Sequence, residues 1–138
     1  MSTIATKKVL VAEDELSIQK VLVRRISDLG YQIFTANDGQ EALEVIRSKD
    51  PDLILLDIIL PIKNGFDVLQ ELRLKLNKKT PVIVISNLES KQDVDSAKNL
   101  GVSGYITKAN ITLRDLSKTI TQVLAASGPA SSPQRPIV

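Results

Sequence analysis

The sequence predicts an α/β domain in which parallel strands alternate with helices. Two observations carry that expectation. Short apolar runs alternate with amphipathic stretches five times along the chain, which is the pattern of a repeated βα unit. Four of the runs also stop on, or just before, a reactive side chain. Residues 8–12 run into Glu13 and Asp14, residues 53–56 into Asp57, residues 82–85 into Ser86, and residues 105–107 into Lys108. In an open parallel sheet the carboxyl ends of the strands share one rim, where ligands bind. Three acids, a hydroxyl and an ammonium at one rim suit a divalent cation, a carboxylate nucleophile and a bound phosphoryl group.

The elements follow in order. After the first strand, Ile18, Val21, Leu22, Ile26 and Leu29 recur at helical spacing, and Gly30 closes the helix. Residues 31–36 form a second strand, where Gln32 and Thr35 interrupt the apolar run as on an edge strand. A helix with Ala42, Leu43 and Ile46 comes next, and Asp50-Pro51 breaks it. The third helix, over residues 65–76, carries Phe66, Leu69, Leu72 and Leu76. The fourth, over residues 89–100, has only Val94, Ala97 and Leu100 as its stripe, so it is expected to be the least stable element. Thr112-Leu113-Arg114-Asp115 has the form of a capping box and opens a last helix with Leu116, Ile120, Val123 and Leu124 on one face. Residues 127–138 hold three Pro and three Ser. They are expected to be a disordered tail or linker, leaving one domain over residues 1–126.

Composition narrows the function classes. A chain of 138 residues is most simply one domain with a sizeable core. Its net charge of +2 is too small to imply nucleic acid. The densest basic patch, Arg73, Lys75, Lys78 and Lys79, sits at a helix end, where cations favour the dipole, and no aromatics are interleaved with it. The absence of Cys and His excludes disulfides, thiolate or imidazole metal sites, Cys nucleophiles and His-based triads. No apolar stretch of membrane-spanning length occurs, and residues 1–8 lack a signal-peptide core, so a cytoplasmic protein is expected.

Asp57 ends the most apolar run. Alone it would read as a strand-end turn. Glu13 and Asp14, at a neighbouring strand end, change that, because clustered carboxylates repel one another unless a cation joins them. Mg²⁺ fits, since it takes oxygen ligands and keeps waters that a phosphate can displace. Asp14 and Asp57 are the expected direct ligands, Glu13 binds directly or through water, and the Ile59 backbone carbonyl can add an oxygen. With charge neutralised, a carboxylate attacks phosphorus. Lys108 and Ser86 can each take a further phosphoryl oxygen.

On these residues the chain closely resembles the receiver domain of two-component response regulators, over residues 7–126. The motifs are Val9-Leu10-Val11-Ala12-Glu13-Asp14-Glu15, then Pro51-Asp52-Leu53-Ile54-Leu55-Leu56-Asp57-Ile58-Ile59-Leu60-Pro61 with Asn64-Gly65, then Pro81-Val82-Ile83-Val84-Ile85-Ser86 and Gly104-Tyr105-Ile106-Thr107-Lys108. The resemblance implies a doubly wound, flavodoxin-like (βα)5 fold, with a five-stranded parallel sheet of order 2-1-3-4-5 and helices on both faces. It implies that Asp57 accepts phosphate from a histidine kinase or phosphotransfer protein in a Mg²⁺-dependent step. It also makes Ser86 and Tyr105 the switch residues of a protein-contact face formed by helix four, strand five and helix five. A downstream protein target and a phosphorylation-enhanced homodimer are the partners implied.

Three residues depart from the family pattern. Glu13 stands where Asp is commoner. Asn87 stands where a small residue is usual, and is expected to crowd phosphoryl access. Ala109 stands where Pro is usual, so a trans Lys108–Ala109 bond and a shifted Lys108 loop are expected.

Competing readings are a phosphorylation-independent pseudo-receiver and a phosphatase of the haloacid-dehalogenase type. The latter wants an acid two residues after the nucleophile, where this chain has Ile59. Residues 13–17 lack the glycines of a nucleotide-binding turn. Twelve Pro/Ser-rich residues are too few for a winged helix, so no DNA-binding output is expected within the chain. It is either a stand-alone receiver or a piece of a longer regulator.

Overall fold

A computed structural model describes residues 6–87, 91–110 and 112–127. Five parallel strands form one sheet: β1 (Lys8–Ala12), β2 (Gln32–Ala36), β3 (Leu53–Leu56), β4 (Val82–Ser86) and β5 (Gly104–Thr107). Their order is β2-β1-β3-β4-β5. Helices α1 (Leu16–Asp28), α2 (Gly39–Lys49), α3 (Gly65–Gln70), α4 (Lys91–Asn99) and α5 (Leu113–Ser127) connect or follow the strands. The fold is therefore the doubly wound flavodoxin-like one.

Alternation along the strands builds two cores. Successive side chains of a strand point to opposite faces. Leu10 and Ala12 pack with Leu43 and Ile46 of α2, Val68 and Leu69 of α3 and Ala97 of α4. Val9 and Val11 pack with Leu22 and Ile26 of α1 and Leu116, Ile120 and Leu124 of α5. The strands β1, β3 and β4 are apolar throughout because both of their faces are covered. The outer strand β2 exposes Gln32 and Thr35, as its sequence suggests.

Local signals close the helices where expected. Gly30 has a φ of 94° after α1, and Asp50 has a φ of 49° after α2. The side chain of Asp38 accepts from the Glu41 N–H at 2.7 Å, and Asn64 with Asp67 forms a capping box on α3. The Thr112 hydroxyl accepts from the Asp115 N–H at 3.1 Å at the start of α5.

Three details differ from the sequence reading. Val21 and Leu29 of the α1 stripe are exposed, the helix burying only Leu22 and Ile26 fully. The third helix changes at Glu71–Lys75 into a π-helical turn. Arg73 does more there than meet a dipole: its guanidinium donates to the carbonyls of Lys78, Leu100 and Gly101 at 3.0, 2.9 and 2.8 Å. In α4 only Ala97 is buried, consistent with the thin stripe expected of it. Glu89, Ser90 and residues 128–138 of the tail lie outside the described residues.

Candidate functional site

Backbone pairing sets the rim. Ala12 of β1 is in register with Leu56 of β3, and Ser86 of β4 with Thr107 of β5. The ladders that β1 makes with β2 and β3 run one step beyond the strands. The Glu13 N–H donates to the Ala36 carbonyl and the Asp57 N–H to the Ala12 carbonyl, both at 3.0 Å. The backbones under both acids are thereby fixed before any side-chain contact is counted.

Among the described residues, Glu13, Asp57 and Ser86 are the buried polar ones, at 2%, 5% and 0% exposure. Buried polar groups need partners, and two of the three have them. The Lys108 ammonium sits 2.8 Å from Asp57 Oδ2 and 2.8 Å from Glu13 Oε1. The other Asp57 oxygen, Oδ1, accepts from the Ile59 N–H at 3.0 Å. Glu13 Oε2 accepts from the Glu15 N–H at 3.0 Å, and the Glu13 carbonyl accepts from Gln19 Nε2 at 2.8 Å. The Ser86 hydroxyl has no hydrogen-bond partner among the described residues. Full burial without a partner is costly for a hydroxyl unless a ligand supplies one.

Asp14 is exposed, yet Glu13, Asp14 and Asp57 each offer a carboxylate oxygen within 4.8 Å of the others. The donor set is all hard oxygen and fits a Mg²⁺-sized cation. Burial raises the Glu13 carboxyl above its ordinary value. Lys108 and the Glu15 N–H oppose the rise without cancelling it, and the Asp57 charge adds to it. Burial lowers the Lys108 pKa, but its bonds to Asp57 and Glu13 more than offset this and the net shift is upward.

Gly65 admits this close packing. A Cβ there would stand 2.6 Å from the Asp57 carbonyl oxygen and 2.6 Å from Ile58 Cα. In the same loop Ile62 takes a φ of 70° and leaves its side chain 77% exposed.

Tyr105 lies half-buried at the edge of the core beneath α2, α3 and α4. Burial, with the charges of Asp93 and Asp57, raises its phenol pKa. Peptide bonds are trans among the described residues, Lys108–Ala109 included, and Lys108 still reaches both acids. The Asn87 side chain accepts from the Ala109 N–H at 3.1 Å. Sequence reasoning missed that bond, along with the roles of Glu15 and Gln19. Their partners lie in other segments or depend on loop geometry, so no local pattern marks them.

Comparison with known proteins points one way. The sequence model described as "Response regulator receiver domain" matches residues 9–121. A probable transcriptional regulator ycf27 of Porphyridium aerugineum is 36% identical over 126 residues, covering 91% of this chain and 51% of that protein. The ycf27 protein of Cyanophora paradoxa is 38% identical over 102 residues, covering 74% of this chain and 42% of that protein. The chain spans about half the length of the curated relatives it matches. The receiver domain of the Francisella response regulator 1452 superposes with a TM-score of 0.80 at 31% identity, covering 88% of this chain and 99% of that one. Chemotaxis protein CheY4 of Vibrio cholerae superposes with a TM-score of 0.78 at 30% identity, covering 86% and 99%.

Proposed function

Because the chain belongs to the response regulator receiver domain family of two-component systems, we propose that it accepts a phosphoryl group on Asp57. The donor is a phosphohistidine on a partner histidine kinase or phosphotransfer protein. One observation carries this reading: a buried carboxylate at a strand end, held by Lys108 and the Ile59 N–H, with an unpartnered serine hydroxyl on the next strand.

In the transfer, an Asp57 carboxylate oxygen bonds to phosphorus as the phosphorus–nitrogen bond breaks. The imidazole nitrogen leaves with the electron pair. Lys108 balances charge on one phosphoryl oxygen, and Ser86 donates its hydroxyl to another. Glu13, Asp14 and Asp57, with the backbone oxygen of Ile59, would hold Mg²⁺. When bound, the ion neutralises charge on the carboxylate and the phosphoryl oxygens. An apolar groove of about 350 Å³ between α1 and α5, lined by Ile18, Val21, Leu113 and Leu116, opens beside Lys108 and offers the donor a contact surface.

Phosphorylation then acts as a switch. Negative charge added at Asp57 draws the Ser86 hydroxyl toward it, and Tyr105 fills the space released. The α4, β5 and α5 face changes shape for a downstream protein or a second copy of the chain. The protein catalyses its own phosphorylation and slow dephosphorylation, and works in the cytoplasm. No helix among the described residues is long and apolar enough to cross a membrane.

The test is incubation with Mg²⁺ and acetyl phosphate, with and without a chelator. Mg²⁺-dependent labelling supports the reading. Steady turnover of phosphomonoesters would favour a phosphatase, and no labelling from any donor a pseudo-receiver.

A further inference from the structure

We propose that Asn87 is a positioning residue for phosphoryl transfer: its side chain straps the backbone beside Lys108 and so holds the Lys108 ammonium on Asp57. This rests on Asp57 being the acceptor. The β4–β5 ladder ends at the Ser86–Thr107 pair. Beyond it the segments that follow β4 and β5 leave the sheet, and Lys108–Asn110 form a single 3-10 turn. The first N–H groups of such a turn have no partner within it. Asn87 supplies one, its Oδ1 accepting from the Ala109 N–H at 3.1 Å.

The strap therefore adds one side-chain rung just past the last backbone rung. Lys108 lies between the two rungs. Its backbone is held by Thr107 on one side and by Ala109 on the other, and from there its ammonium spans to Asp57 and Glu13 at 2.8 Å each. Residues 87 and 109 work as a pair. Only a residue other than proline at 109 has an N–H to donate, and a residue at 87 needs an acceptor long enough to reach it. The two departures at these positions are thus one feature. The same bond turns the Asn87 carboxamide oxygen toward Ala109, which opposes the expectation that this side chain crowds the phosphoryl entrance.

The experiment follows labelling of Asp57 in the full chain at fixed Mg²⁺ and varied acetyl phosphate, together with hydrogen exchange of the Ala109 amide. Asn87→Ala should expose the Ala109 amide to exchange. It should slow the labelling rate constant at high donor about two- to tenfold, the worth of one hydrogen bond, with little change in donor half-saturation. Ala109→Pro should slow labelling similarly, and Asn87→Ala should add nothing in that background. Faster labelling in Asn87→Ala would make the side chain an obstacle and overturn the proposal. So would an unchanged rate, or an Asn87→Ala effect that persists undiminished with Pro at 109. A wild-type protein that takes no label overturns the acceptor reading and the strap with it, whereas a wild type that labels normally beside an equally fast Asn87→Ala overturns the strap alone.

Discussion

The Lys108 ammonium lies 2.8 Å from Oδ2 of Asp57, across the rim and 51 residues away in sequence. The same ammonium holds Glu13, so one cation compensates two buried carboxylates. Removing it leaves both acids facing each other in a poorly solvated pocket. Lys108→Ala is expected to cost about 2 kcal/mol in metal-free protein, below the full penalty of a broken buried pair because Lys108 is partly exposed. Urea unfolding with and without Mg²⁺ checks this, and the cation should restore part of the loss.

Glu13 makes the stability of the metal-free protein depend on pH. Burial, first among the causes, raises its carboxyl above 4.5. Between 4.5 and that higher native value, the folded protein keeps a proton that the unfolded chain has released. The contribution of this group to stability therefore falls as pH rises through the window and stays lost above it. Glu13→Gln removes the effect. Its melting temperature should exceed that of wild type at pH 7, with the difference shrinking as pH falls through that window toward 4.5.

The loop after Asp57 responds oppositely at two positions. Gly65→Ala drives a Cβ into backbone atoms 2.6 Å away, which cannot yield as a flexible side chain would. A loss of about 2–3 kcal/mol is expected. Ile62→Gly removes a β-branched residue from a φ of 70° at little cost in buried surface. A gain of up to about 1 kcal/mol is expected, the relief exceeding the extra freedom of glycine in the unfolded chain. Denaturation midpoints of the two variants measure both.

Arg73 ties the π-helical turn to the end of α4 through the Leu100 and Gly101 carbonyls. Arg73→Met keeps much of the aliphatic stem and deletes these donors. It should destabilise by about 2 kcal/mol and speed amide exchange at the carboxyl end of α4 more than at α1 or α2. Uniform exchange changes across all helices would argue against a local tether.

The legible parts of this molecule are those whose signals are local or periodic. β1, β3 and β4 read clearly because strands covered on both faces must be apolar at every position. The rim acids, Ser86 and Lys108 read clearly because strand ends are marked by where apolar runs stop. Val21 and Leu29 were misleading, since helical spacing reports a stripe and not what covers it. Arg73 and Asn87 were opaque for another reason. Each satisfies backbone groups from a distant segment, 27 and 22 residues away, and nothing nearby announces such a bond.

The most direct measurement is the intact mass of the protein after incubation with Mg²⁺ and acetyl phosphate, for wild type beside Asp57→Asn. Wild type should gain the mass of a single phosphoryl group, and Asp57→Asn should gain none while remaining folded. Equal gain in the two proteins would move the acceptor elsewhere and contradict the assignment of Asp57.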